Sequence, residues 1–162
     1  MSPKEIIKNQ LATGDALLEM FLKDFSDDDC LRQLPEGGQN VTWIHGHLAC
    51  SDDWILSKLT GSSYQISEAI HGKYKGGSTV SAAASENLGR AEVEALFKEQ
   101  RGRTMAAIEA ADESKWNDPA PEGIPPFFPT VGSVWGMLAT HLYWHFGQVT
   151  AIRRMLGKPS AF

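Results

Sequence analysis

The chain has 162 residues, with 15 Lys and Arg against 20 Asp and Glu and a formal net charge of −5. That length suits one domain, large enough to bury a core without disulfide staples. The acidic balance argues against an electrostatic nucleic-acid binder, which needs a basic face to neutralise phosphates. Cys30 and Cys50, the only two cysteines, match no zinc knuckle, redox pair or disulfide framework. Met1 to Gln10 carries Lys4 and Lys8 with no apolar stretch and cleavage site behind them, so a cytoplasmic protein is expected. Thr140, two histidines and Gln148 interrupt the most apolar segment, Val134 to Val149, which excludes a membrane-spanning helix.

In chain order, Ile7, Leu11, Gly14, Leu18, Phe21 and Phe25 recur at the steps of an amphipathic helix, predicting a first helix over residues 2–25. The segment 27–39, with Asp27, Asp28 and Asp29 at its start and Pro35, Gly37 and Gly38 near its end, reads as a solvated loop. Asn40 stands at an N-cap, and the stripe Val41, Ile44, Leu48, Ile55 and Leu59 predicts a second helix, stopped by Gly61. Residues 60–89 are rich in Gly, Ser and Ala without a period and are expected to be irregular. Val93, Phe97, Gln100, Thr104 and Ile108 predict a third helix over 90–111, with Trp116 closing it. Five prolines between Asn117 and Pro129 surround Phe127 and Phe128 and forbid a helix there, leaving a stiff apolar flap. Thr130 then caps a last helix that runs to Gly157, with Pro159 beyond. Four long helices and no convincing strand make this an all-α chain, a four-helix bundle in a single domain over residues 1–162.

The strongest chemical signal lies in the last helix. His141 and His145 are four residues apart, on one face, in the stripe of Val134, Leu138 and Ile152 where a bundle normally places Leu or Ile. Burying unpartnered imidazoles is costly, and a shared metal ion satisfies both at once. The second helix offers a third ligand in His45 or His47, ~200° apart and so unable to face one site together. With Ile44, Leu48, Ile55, Trp43 and Trp54 as the buried arc, His47 falls inside it, while His45 lies ~100° off, at the surface or behind the first ligands. His71, in the connection, reads as solvated, and Cys50 as an inert packed thiol turned away from His47. Gln148 falls near the His141 face, either to orient a ligand or to cap a buried contact. Trp43, Trp54, Trp135 and Trp144 read as packing, and the Phe127–Phe128 flap either covers the site or caps the bundle end.

These residues carry a family resemblance. NVTWIHGHL at Asn40 to Leu48, HLYWHFGQ at His141 to Gln148 and IRRMLGKP at Ile152 to Pro159 resemble the DinB/YfiT-like family of metal-dependent enzymes. The likeness runs through nearly the whole chain in helix order, with its diagnostic residues in the second and last helices. It implies a four-helix bundle of up-down-down-up topology, often a homodimer, with a divalent metal such as zinc or nickel on three histidines. Here those match His47, His141 and His145. It also implies a metal-activated low-molecular-weight thiol attacking a small electrophile, as in the bacillithiol S-transferases and the mycothiol-dependent maleylpyruvate isomerase of the family.

The expected function is therefore a metal-dependent enzyme acting on a small molecule, a thiol S-transferase or a hydrolase, with neither nucleic acid nor membrane as partner. Two rivals stand beside it. One is a metal-binding, stress-related helical bundle without turnover, and the other a bundle whose histidines are merely packed.

Overall fold

The computed structural model describes residues 1–161, in which six α-helices and two 3₁₀ turns replace the four predicted helices. Helix α1 (Pro3–Leu22) begins where the sequence expects it, with Ser2 and Glu5 exchanging cap hydrogen bonds and Pro3 in the first turn. It ends three residues before Phe25, because Ser26 opens a second capping box with Asp29 and starts α2 (Asp27–Leu31). The three aspartates expected in a loop thus occupy the first turn of a helix, where its positive end favours them.

Asn40 caps α3 (Val41–Thr60): its side-chain oxygen accepts the Trp43 N–H at 2.8 Å, while its amide donates to the Ser81 carbonyl at 2.8 Å. One buried side chain therefore both starts the helix and pins the connection that follows it. Gly61, at φ +72°, ends α3 as expected. The connection contains α4 (Glu68–Tyr74) and a 3₁₀ turn at Ala84–Glu86, so it is more ordered than its composition suggests. Helix α5 (Arg90–Ala110) and, after a second 3₁₀ turn at Glu113–Lys115, α6 (Val131–Met155) match the third and last predicted helices.

Pairings along the helices give their directions. Lys8 meets Glu109 and Glu19 meets Lys98, so α1 and α5 are antiparallel. His45 packs on Phe97 and Asp52 bonds Arg101, so α3 and α5 run parallel. Tyr143 bonds the Gln10 carbonyl and Phe146 packs on Phe21, so α1 and α6 are also parallel, while Trp43 lies by His145 and α3 opposes α6. The four long helices form an up-down-down-up bundle. Parallel neighbours cannot be joined by a tight turn, and residues 61–89 return the chain along the bundle between α3 and α5.

Leu11, Ile44, Leu48, Ile55, Leu138, Leu142 and Ile152 fill the core. Gly14 lets α1 approach α6 closely, since a Cβ there would collide with Leu142. The core also holds charge. The Asp52 carboxylate accepts from Arg101 at 2.6 Å and from the Thr104 hydroxyl at 3.0 Å, and Arg101 reaches on to Asp15 at 3.1 Å.

Candidate metal centre

Helices α3 and α6 bring three of the five histidines to one point. His141 Nε2 lies 3.2 Å from His47 Nε2 and 3.0 Å from His145 Nε2, and no other group of three His, Cys, Asp or Glu among the described residues converges in this way. Ligands of one ion at ~2.0–2.1 Å each must stand ~3.0–3.4 Å apart, so these separations fit a shared ion.

The ring nitrogens on the far side are already engaged. His47 Nδ1 donates to the Tyr74 carbonyl at 2.9 Å, and His145 Nδ1 donates to Gln148 Oε1 at 2.6 Å. With both Nδ1 hydrogens committed, the Nε2 lone pairs of these two rings point inward. Gln148 in turn donates to Gln39 Oε1 at 3.1 Å, tying α6 to the residue before the Asn40 cap. Trp43 stacks on the His47 ring with centroids 4.4 Å apart and planes 10° from parallel, and its Nε1–H donates to Ser78 at 3.0 Å.

Burial keeps the imidazoles neutral. It pushes His47 down to about 4, with His145 adding to the effect and the Tyr74 carbonyl opposing it. Burial, the two neighbouring histidines and Arg101 push His141 down to about 3. His145 is also lowered by burial, against the Gln148 hydrogen bond. Neutral imidazole is the form that ligates a metal, so all three rings are in the competent state at neutral pH.

His47 and His141 lie in the wall of a cavity of about 750 Å³ between α3, α4, α6 and the proline-rich segment. Trp54, Met137, Phe128 and Trp144 give it apolar walls, and Ser51, Glu68 and Lys75 supply polar groups. Phe127 and Phe128 both line it, so the proline-rich segment before α6 forms part of the same cavity as His47 and His141.

Several expectations need correction. His45 is not at the surface: it is buried edge-on against Phe97, on the α5 side of α3 and away from the three converging rings. A helix with one solvent face would expose His45, but every residue from Val41 to Cys50 is buried because α2, α4, α5 and α6 surround α3. His71 is not solvated. Its Nε2 donates to Asp53 at 3.0 Å, its ring stacks on Tyr64, and it lines the cavity. Asp53 also accepts the N–H groups of Gln65 and Ile66, wrapping the connection around α3. The signal for this was the Asp52–Asp53 pair in the middle of a helix that also carries the stripe Ile44, Leu48 and Ile55, since buried carboxylates demand partners.

Cys50 lines the same cavity as His47 instead of turning away, although burial pushes its thiol up to about 12, the unreactive state expected of it. Trp43 and Trp135 are packing residues as expected, but Trp54 and Trp144 are cavity walls.

Comparison with known proteins agrees with this architecture. A family model described as the DinB superfamily matches residues 10–149. Among solved structures, the chain is similar to YfiT from Bacillus subtilis, with a TM-score of 0.66 and 18% identity over 96% of this chain and 89% of that one. YfiT is described as a probable metal-dependent hydrolase with an unusual four-helix bundle topology. No curated protein matches the sequence.

Proposed function

The chain belongs to the DinB superfamily, and from that membership and the three converging imidazoles we propose that it is a metal-dependent enzyme acting on a small molecule. His47, His141 and His145 hold a divalent ion, zinc or nickel, through their Nε2 atoms. The observation that carries this reading is the mutual approach of three Nε2 atoms, two of them with their Nδ1 hydrogens already donated elsewhere. A bound divalent ion supplies Lewis acidity, lowering the pKa of a water or thiol so that it becomes a nucleophile near neutral pH.

The protein's own residues do the rest. The Tyr74 carbonyl and Gln148 fix the tautomers of His47 and His145, and Phe127 and Phe128 add apolar wall to the cavity that His47 and His141 line. Three protein ligands leave coordination positions for reactants, as catalytic rather than structural zinc sites do. A storage bundle calls for a closed site, and the cavity over His47 and His141 supports turnover instead.

Of the two reactions, transfer of a low-molecular-weight thiol to a small electrophile is our first reading, supported by a cavity roomy enough for two small reactants. Hydrolysis is the second, favoured by the description of the similar YfiT. A homodimer in the reducing cytoplasm completes the proposal, the setting being supported by two free, buried cysteines.

The first test is elemental mass spectrometry of tag-free protein, with alanine replacing His45, His47, His141 and His145 in turn. Near one equivalent of divalent metal, lost in the last three variants and kept in His45→Ala, supports the centre. Metal-loaded protein is then assayed with bacillithiol, mycothiol and glutathione against monochlorobimane, and without thiol against p-nitrophenyl acetate. Thiol-dependent turnover supports transfer, and ester cleavage alone supports the hydrolase reading. Metal-free protein even after reconstitution sinks both.

A further inference from the structure

We infer that the cavity over the three histidines takes a small aromatic molecule with a single metal-seeking head group, a substrate class that rests on the metal centre proposed here. The distribution of exposed apolar side chains carries the argument. Seven large hydrophobic residues are exposed among the described residues, and three of them, Tyr64 at 51%, Phe127 at 69% and Trp144 at 57%, line this one cavity. Single exposed hydrophobics are ordinary. Three exposed aromatics lining one cavity, from the loop after α3, the proline-rich segment and α6, are not explained by folding, because their rings gain little burial there.

The apolar surface continues inward. Trp54 and Phe128 extend the wall, and the Trp144 ring stands edge-on to His141 with centroids 6.1 Å apart. An aromatic body lying along this wall makes offset and edge contacts at every step. The polar end is short by comparison, since the inward lone pairs of His47 and His145 converge with His141 at one point. The site therefore reads two features of its ligand: a flat apolar body and one donor head.

Charge points the same way. Lys75 and Glu68 both line the cavity and offset each other, and His71 is engaged by Asp53. The body of the ligand is thus not selected for net charge. A volume of about 750 Å³ suits a small molecule rather than a polymer.

Zinc-loaded full-length protein, its zinc content checked by elemental analysis, is titrated calorimetrically with benzohydroxamic acid and with acetohydroxamic acid. The two share a chelating head and differ in phenyl against methyl. The expected result is at least tenfold tighter binding of benzohydroxamate, with Phe127→Ala and Trp144→Ala each lowering that ratio threefold or more. Both side chains are exposed, so these variants retain the fold, which circular dichroism checks. Equal affinities in the wild type, or a ratio unchanged in both variants, overturn the inference.

Zinc-loaded protein that binds neither hydroxamate also overturns it while leaving the metal centre in place. Protein that takes up no zinc removes the centre, and this inference with it. Sedimentation velocity covers the remaining occupant: a wild-type dimer that Phe127→Ala and Trp144→Ala convert to monomer assigns the rim to a second copy of the chain and overturns the aromatic-ligand reading.

Discussion

Gly46 and Tyr74 touch so closely that a methyl group on Gly46 would lie 2.6 Å from Tyr74 Cδ1 and 2.7 Å from Cδ2. The same tyrosine's carbonyl accepts the His47 Nδ1 hydrogen. The missing side chain at one position therefore sets the distance between α4 and α3, and through it the orientation of the neighbouring metal-binding candidate. The hydroxyl end of Tyr74 accepts the Leu88 N–H at 2.8 Å, so the ring cannot tilt away freely.

Gly46→Ala is accordingly expected to destabilise the fold by ~1–3 kcal/mol, the usual cost of overpacking, and to weaken zinc affinity by displacing the Tyr74 carbonyl. Urea unfolding gives the first quantity and competition with a chromophoric chelator the second. Unchanged zinc affinity alongside lower stability would separate Tyr74 from the metal site.

Gln148→Leu keeps the volume of the side chain but removes the acceptor that orients His145. Groups behind the metal ligands contribute ~10–100-fold in affinity, so zinc binding should weaken by about that factor without a change of fold. His141→Ala, which deletes one of the three proposed ligands outright, should cost more. Zinc at 1,000 times its dissociation constant stabilises the folded state by ~4 kcal/mol, and chelation with EDTA should remove that gain in the wild type and much less in His141→Ala.

His45 links stability to pH. Burial lowers it from an ordinary 6.5 to about 4 in the folded protein, so the unfolded chain takes up a proton first as pH falls. Its contribution to stability is therefore fully present above pH ~6.5, declines between ~6.5 and ~4, and is lost below that, a swing of up to ~3 kcal/mol. The converging histidines act in the same direction, which makes the difference between wild type and His45→Phe the informative quantity. Measured metal-free by urea unfolding at pH 7 and pH 5, the wild type should lose more stability than the variant; equal losses would place His45 in water.

Arg101 stands between two carboxylates, the buried Asp52 and the half-buried Asp15, and desolvation raises the pKa of both, Asp15 to about 6. Removing the guanidinium leaves Asp52 uncompensated in the core, so Arg101→Met should cost ~3–5 kcal/mol. Adding Asp52→Leu should restore much of it, since an apolar pair replaces the ion pair. A double-mutant cycle by urea unfolding reads the coupling, and additive losses would contradict the pairing.

The amino-acid sequence by itself determined the four long helices and the caps at Asn40, Thr130 and Gly157, and it singled out His47, His141 and His145, the three rings that converge. Each rests on local physics: a period of 3.6, a side chain that satisfies a free N–H, a histidine where the stripe calls for Leu. The short helix at Asp27 was equally local, signalled by Ser26 and Asp29, yet the acidic run disguised it as a loop. Only the tertiary structure decided the burial of His45, the engagement of His71 by Asp53, and the placing of Trp54, Trp144 and Phe127 around one cavity. Those outcomes depend on which elements surround α3 and where residues 61–89 and 117–129 fold back. A helical wheel knows the direction of a side chain, but not whether water or another helix lies there.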